Sequence, residues 1–355
     1  MIRIHTILAA ALVATCTFVG AVSAQTSKSK APVRHGWKCT TEFYKIGTQV
    51  YGFQNDPLYG DIESIEEITY FTNDKDLDYS KLDEDSIFRT IYKFNSRGDV
   101  VECVEDWSDG STYSYEYDAK GRLTKSTTVL YDGCTINTYE YDSQGRLVRE
   151  LTYFKDDDYA FTRTYKYKYD KNGNLLLKEC SGCDDDISYI ITRKYDALNR
   201  LISNIEHGDE GGFTSYEYVY DSSNRVVEVY DRNYDGEVRY KDIYKYDAKG
   251  RLADVYFSDC NGYCEKSFTF VYDKSGVLCG IIGPYAVTDY DYPYFQHIFT
   301  LNSKGEAVKS YFYGIEEFTR YYERDAKGNI VKIVEYFCDE KAPYRYIIRK
   351  IKYRK

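Results

Sequence analysis

Tyr115-Glu-Tyr117-Asp118-Ala-Lys-Gly121-Arg122-Leu123 is followed 24 residues on by a near copy, Tyr139-Glu-Tyr141-Asp142-Ser-Gln-Gly145-Arg146-Leu147. Taking the Asp or Asn of this phrase as an anchor, ten copies stand at Asn95, Asp118, Asp142, Asp170, Asp196, Asp221, Asp247, Asp273, Asn302 and Asp325. Their spacing varies between 23 and 29 residues, so constant turns are joined by loops of changing length. Three residues after each anchor come Gly98, Gly121, Gly145, Gly173, Asn199, Asn224, Gly250, Gly276, Gly305 and Gly328. Gly and Asn are the residues that tolerate positive φ, and an Asp or Asn opening a type I turn that ends in a left-handed residue makes a tight hairpin.

The flanks set the strand faces. Five residues after the anchors the chain is always apolar, from Val100 and Leu123 to Ile330, and one residue before them it is aromatic or Leu in all copies except Arg324. Three before them are Tyr or Phe in all but Arg193, with mostly Lys and Glu between. This two-residue period with one aromatic face is that of half-buried strands. Asp109-Gly110, Asp132-Gly133, Asp235-Gly236 and Asn261-Gly262 alternate with the anchors and read as two-residue hairpin loops. The expected fold is therefore all-β: a long antiparallel meander of about ten two-stranded repeats over residues 90–355. Its sheet should be coiled or partly closed, since a flat layer of about twenty strands, on the order of 95 Å wide, would leave its aromatic face wet.

The Tyr-x-Tyr-Asp-x-x-Gly-Arg-Leu phrase resembles the YD repeat of the Rhs and teneurin families, over about residues 90–335. The resemblance implies a spiralling β shell that encloses a toxin cargo or presents a carbohydrate- or protein-binding surface. Ten copies are few for a closed compartment. The Pro- and Asp-containing cleavage motif and toxin domain of the toxin-carrying members are not seen, and Asn55-Asp56-Pro57 stands at the wrong end.

Composition agrees with strands: 42 Tyr, 17 Phe and 2 Trp stand against one Met and 5 Pro. A formal charge of −10 argues against nucleic acid, which needs a clustered excess of Lys and Arg. Met1–Ala24 reads as a signal peptide ending in Val22-Ser23-Ala24, with an uncleaved anchor and a lipid-modified Cys16 as the alternatives. The protein is expected to be secreted, or periplasmic in the cell envelope. Residues 25–56 read as a linker and leading segment, and 57–89 as a degenerate leading repeat with an acidic loop at Asn73–Asp85.

Candidate chemistry is sparse. Signal removal leaves nine Cys, and the oxidising compartment makes disulfides the expectation; Cys260 and Cys264, bracketing a hairpin turn, are the candidate pair, with Cys180 and Cys183 a weaker one. A zinc site from all four thiolates is opposed by the roughly six strands between the pairs, about 29 Å. Asp231, Asn233, Asp235, Gly236 and Asp242 nearly spell a calcium loop, but the repeat phase alone accounts for Asp235-Gly236. No nucleophile, phosphate-loop or metalloprotease motif occurs, so the expectation is a protein without catalytic residues or cofactor. The C-terminal strand carries Arg345, Arg349, Lys350, Lys352, Arg354 and Lys355; it reads as a charged edge strand, with membrane contact as the other reading. The leading function is a binding surface or envelope scaffold, with carbohydrate or another envelope protein as partner, recognised by Tyr on the variable loops 156–159, 206–213 and 282–296. The rival is a shell, immunity or toxin-associated component that binds another protein.

Overall fold

The computed structural model describes residues 58–72, 87–106, 110–156, 159–182, 187–208, 212–274, 276, 278–283, 295–302, 307–312, 315–337 and 342–355. The segments read as signal peptide (1–24), linker (25–56) and acidic loop (73–85), together with Gly305 and Cys183, lie outside these. The chain is all-β, with 22 strands and no helix among the described residues, in one long antiparallel sheet. The strands are β1 Ile62–Phe71, β2 Ile87–Phe94, β3 Val100–Asp106, β4 Ser111–Tyr117, β5 Leu123–Leu130, β6 Gly133–Tyr141, β7 Leu147–Asp156 and β8 Ala160–Tyr169. They continue with β9 Leu175–Ser181, β10 Ile187–Tyr195, β11 Leu201–Gly208, β12 Phe213–Tyr220, β13 Val226–Arg232, β14 Val238–Tyr246, β15 Leu252–Asp259 and β16 Cys264–Tyr272. The last are β17 Leu278–Gly283, β18 Phe295–Leu301, β19 Ala307–Phe312, β20 Ile315–Arg324, β21 Ile330–Phe337 and β22 Arg345–Tyr353. By backbone proximity the chain forms two compact units, one built around Ile136–Phe270 and the other around residues 58–135 and Phe295–Lys355.

One turn recurs throughout. Gly121 N donates to Asp118 O at 2.9 Å and Asp118 N to Arg122 O at 2.9 Å, closing a type I turn followed by a bulge. The left-handed residue has φ of +81° at Gly121 and +62° and +63° at Asn199 and Asn224, the two non-Gly residues with positive φ among those described. Asp118 caps the turn, its Oδ1 accepting from the amides of Lys120 (2.8 Å) and Arg122 (2.9 Å) and its Oδ2 from Arg122 Nε (2.7 Å). The same set is built at Asp142/Arg146, Asp196/Arg200, Asp221/Arg225 and Asp247/Arg251. The amide and then, beyond a partial offset from desolvation, the guanidinium of the Arg four residues on hold these exposed carboxyls at Asp118, Asp142, Asp221 and Asp247 below their ordinary range.

Successive turns are also tied to one another. The Tyr before an anchor donates its hydroxyl to a carbonyl at the start of the preceding repeat's outgoing strand: Tyr117 to Val100 (2.8 Å), Tyr169 to Leu147 (2.8 Å), Tyr220 to Leu201 (2.7 Å) and Tyr246 to Val226 (2.7 Å). The preceding turn's Arg lies over that ring, with Arg200 at 4.6 Å from Tyr220 and Arg225 at 4.5 Å from Tyr246. Burial pushes Tyr117 and Tyr220 up to about 12, so these hydroxyls stay protonated donors.

In the first unit the core is Leu201, Tyr218, Val226, Val229, Tyr244 and Val255 on the aromatic face. In the second, Leu58, Ile62, Ile65, Phe94 and Val100 pack together, and Ile330, Ile333 and Ile347 form a further cluster.

Two expectations are corrected here. The Asp235-Gly236, Asn261-Gly262 and Asp132-Gly133 pairs are not two-residue type I′ loops, which need positive φ at both central residues, while Asp109 lies outside the described residues. Asn233 and Asp259 are themselves anchors: Gly236 N donates to Asn233 O at 3.0 Å, and Gly262 N to Asp259 O at 3.3 Å, so Gly236 and Gly262 take the left-handed place. Between β5 and β6 the loop is Tyr131-Asp132, with Gly133 already in the strand. The second correction concerns the basic C-terminal strand. It is no edge: β22 pairs with β21 on one side and with β1 on the other. Its cations meet acids, with Arg349 on Glu67 (3.1 Å), Lys350 on Glu66 (3.1 Å), Lys352 on Glu63 (2.6 Å) and Arg345 on Glu335 (3.0 Å), while Arg354 pairs with Asp61. Complementary charge therefore recruits β1 as a partner, where an unpaired basic edge would have repelled one.

Candidate functional site

The two edges of the first unit differ in chemistry. Along one edge the turns at Asp142, Asp170, Asp196, Asp221 and Asp247 carry small or polar residues at their tips, apart from the exposed Leu198. At the opposite edge the turns carry rings: Tyr159 is 61% exposed, Tyr234 76% and Tyr263 55%, while the His207 and Phe213 rings meet at 5.2 Å. Phe213 in turn contacts Tyr234 at 5.4 Å, so neighbouring hairpins share an aromatic surface. Rings of this size left in water at consecutive turns have no part in the core, which is built on the face between the edges. On the second unit's corresponding edge, Phe71 lies 5.9 Å from Phe88 and 5.2 Å from Tyr344, which contacts Phe337 at 5.6 Å.

Between the β13–β14 and β15–β16 hairpins this edge opens into a cleft of about 520 Å³, lined among others by Glu237, Tyr240, Phe257, Asp259 and Tyr263. Its position follows from the turns: the Asn233 and Asp259 caps fix two hairpins side by side, and Tyr240 lies across the ladder from Asp259. Tyr240 and Phe257 pack tilted at 5.3 Å, and the Tyr263 hydroxyl donates to Glu265 at 2.6 Å. That bond and the Glu265 charge raise the Tyr263 pKa, which keeps an exposed hydroxyl in its neutral form. Flat rings beside carboxylates and hydroxyls supply an apolar stacking surface with hydrogen-bond acceptors around it, the chemistry that polyhydroxylated rings require.

Below the cleft the aromatic face turns polar. Asp242 lies across from Phe257 on β15 and from Val229 on β13, and Asp231 across from Tyr240. Asp231 is ion-paired to Arg239 at 2.6 Å, yet burial outweighs that pairing and raises its pKa. Burial, with the Asp231 charge second, pushes the Asp242 carboxyl up to about 7.

The sequence-derived candidates are distributed as follows. Gly98, Gly121, Gly145, Gly173, Asn199, Asn224, Gly250, Gly276 and Gly328 all have positive φ, at turns away from the aromatic edge. Cys260 and Cys264 are exposed free thiols beside the cleft; Cys264 faces Ser258 across the ladder. Cys180 is buried on β9. Of the calcium-like spelling, Asn233 caps a turn and Asp231 holds Arg239, and no group of three or more His, Cys, Asp or Glu suited to a metal occurs among the described residues. Sequence reasoning missed the Tyr234–Tyr263 edge because it read those turns by their Asp-Gly and Asn-Gly pairs; the ring at the tip, Tyr131, Tyr234 and Tyr263, was the available signal.

No protein-family model matches the chain, and no curated protein does. Among solved structures it is similar to a chain of the TcdB2-TccC3-Cdc42 complex, at 13% identity and TM-score 0.38 over 72% of this chain and 15% of that one. It is similar to a chain of the Tc holotoxin pore of Photorhabdus luminescens, at 12% identity and TM-score 0.41 over 77% of this chain and 16% of that one. A porin-like protein from Bacteroides uniformis matches at 10% identity and TM-score 0.30, over 83% of this chain and 99% of that one. The chain thus spans less than a fifth of the length of the toxin chains it matches. At these scores none of the likenesses extends to function.

Proposed function

We propose that the protein is a secreted, non-enzymatic repeat protein of the cell envelope that works as a binding surface, with the aromatic edge of the first unit taking carbohydrate. The observation that carries this reading is the placement of Tyr240, Phe257 and Tyr263 around one cleft with Glu237, Asp259 and Glu265, with Tyr234 exposed at the tip of the adjoining hairpin. A sugar ring stacks on a flat aromatic face while its hydroxyls donate to carboxylates, and a rigid hairpin frame holds both in place without an ordering cost on binding. A protein partner is the second reading, favoured by the continuity of Phe213 with Tyr234, since Tyr, Phe and Arg are enriched at the centres of protein interfaces.

The test is a glycan array probed with residues 25–355 and with Tyr234→Ala and Tyr263→Ala variants. Both rings are exposed, so the variants should keep the fold. Saturable binding to a defined glycan set, lost in both variants, is the expected result. A bare array together with a co-purifying protein released by the same variants would replace carbohydrate by a protein ligand, and binding indifferent to both changes would remove the edge from the account.

A further inference from the structure

Two Asn-Gly pairs occur in the chain, Asn172-Gly173 and Asn261-Gly262, at the same place in two turns of the same kind. Both pairs are exposed, and in both the anchor carboxylate caps the Asn backbone amide, Asn172 N donating to Asp170 Oδ1 at 2.8 Å and Asn261 N to Asp259 Oδ1 at 2.9 Å. Their surroundings differ in three ways. The Asn172 side chain is tied to the next turn, Nδ2 donating to Asn199 Oδ1 at 2.7 Å, whereas Asn261 Nδ2 reaches Asp259 Oδ2 of its own turn at 3.3 Å. Asn174 braces the first turn, its Nδ2 donating to Asp170 Oδ2 at 2.8 Å and to Asn199 Oδ1 at 3.1 Å; the corresponding residue of the second turn is Tyr263, whose hydroxyl goes to Glu265. The bond from Gly262 N to Asp259 O, at 3.3 Å, is the longest turn-closing bond among the described anchors.

The amide nitrogen that follows an Asn can attack the Asn side-chain carbonyl and close a five-membered ring, and Gly permits this because no Cβ shields its nitrogen. An added Cβ would meet nothing within 4 Å at either Gly173 or Gly262, so both loops have room to rearrange. The difference lies in the attacked side chain. It must rotate to bring Cγ over the Gly nitrogen, and Asn172 does so only by giving up its bond to Asn199, while Asn261 gives up one long contact.

We propose that Asn261 is a site of spontaneous deamidation, and that Asn199 protects Asn172 from the same reaction. The Gly262 nitrogen, its proton lost to solvent, bonds to Asn261 Cγ; the Cγ–Nδ2 bond breaks and ammonia leaves with a proton returned by solvent. Water then opens the cyclic imide at either carbonyl, leaving an aspartyl or an isoaspartyl residue at position 261. One water is consumed and one ammonia released, with no oxidant or reductant.

Asn261 lines the cleft together with Asp259 and Glu265, so the product alters it. A neutral amide becomes a third carboxylate there. The isoaspartyl product also adds a methylene to the main chain of a loop in which Asp259 Oδ1 holds the amides of both Asn261 and Tyr263 at 2.9 Å. Resting on the reading of the cleft as a carbohydrate site, conversion is a one-way loss of that site as the protein ages; the chemistry at Asn261 does not depend on that reading.

The test is to incubate residues 25–355 at 37 °C and pH 7.4, follow the tryptic peptides 172–178 and 252–266 by mass spectrometry, and count isoaspartate with a protein isoaspartyl methyltransferase. Position 261 should convert about tenfold faster than position 172, the factor supplied by one side-chain hydrogen bond given up before reaction. Asn199→Gly, which keeps the left-handed backbone at ease, should raise the rate at position 172 toward that at 261 and leave 261 unchanged. Equal rates at the two positions of the natural chain, or an intact Asn261 while the free 252–266 peptide converts, would overturn the proposal without recourse to any variant. Loss of glycan-array binding in step with conversion, absent from aged Asn261→Gln, is the result expected for the cleft; binding that survives full conversion would overturn that consequence and leave the deamidation standing. The mass readout needs no ligand, so a bare array and an unreactive Asn261 are separate failures.

Discussion

Asp242→Asn should flatten a fall in stability that the protein undergoes between about pH 4 and pH 7. Burial, with the Asp231 charge second, raises this carboxyl from 3.8 to about 7. A group that holds its proton more tightly in the folded chain favours folding while protonated. Its contribution is complete below the unfolded value near 4, and it is lost as pH climbs through the folded value near 7. Each tenfold change in the ionisation constant is worth about 1.4 kcal/mol, so the roughly three decades separating the two values set a ceiling of about 4 kcal/mol. Water reaching the carboxyl would lower this. Asparagine is neutral throughout, and whatever its amide costs is the same at every pH. Urea denaturation of both proteins at pH 4.5, 6 and 8, compared at constant slope, isolates the pH-dependent part. The variant should gain on the natural protein steadily across that range. A difference that stays constant with pH, or a natural protein that gains on the variant as pH rises, would refute the reasoning.

The anchor carboxyls predict the opposite dependence at lower pH: Asp118, Asp142, Asp221 and Asp247 are held low by their Arg partners, so their contribution is present above the unfolded value and disappears as pH falls through the folded one, and acid unfolding should set in below about pH 4. Gly173→Ala should cost about 1–2 kcal/mol in urea denaturation for backbone reasons alone, since φ is +89° and an added Cβ would meet nothing within 4 Å, whereas Gly173→Asn should cost clearly less. Tyr220→Phe should cost about 0.5–1.5 kcal/mol by removing its bond to the Leu201 carbonyl, and an unchanged midpoint would dissolve the turn-to-turn tie. Glu67→Gln should cost about 3–5 kcal/mol, because it leaves the buried Arg349 guanidinium without its carboxylate; a smaller loss would mean that the β1–β22 pairing does not depend on that ion pair.

The turns were legible in the sequence because positive φ is a local steric demand that only Gly and Asn meet cheaply, and the demand recurs at Gly121, Asn199 and Asn224 without reference to the rest of the chain. The faces were legible for a similar reason: strand alternation puts Tyr218 and Tyr244 inside and the intervening Lys and Glu outside. The Arg of the repeated phrase was visible but unassigned, since its role lies in reaching both its own anchor and the ring of the next repeat, a contact defined only when the strands are side by side. Pairing between β1 and β22 was out of reach of any local pattern: Glu67 and Arg349 are 282 residues apart, and only the match of Glu63, Glu66 and Glu67 to Arg349, Lys350 and Lys352 hinted at it. The cleft was hidden for a further reason. It depends on Asn233 and Asp259 acting as anchors, and the Asp-Gly and Asn-Gly pairs inside those turns drew the reading two residues too far along.

Fluorotyrosine NMR on residues 25–355, with each resonance assigned by single Tyr→Phe changes and the protein titrated with a mixture of glucosamine and N-acetylglucosamine oligomers, puts the binding-edge claim to the most direct trial. Tyr234, Tyr240 and Tyr263 should shift and saturate together while the core rings Tyr218 and Tyr244 respond weakly. Shifts scattered over the anchor-side tyrosines Tyr117, Tyr169 and Tyr220, with Tyr234 and Tyr263 silent, would contradict the account.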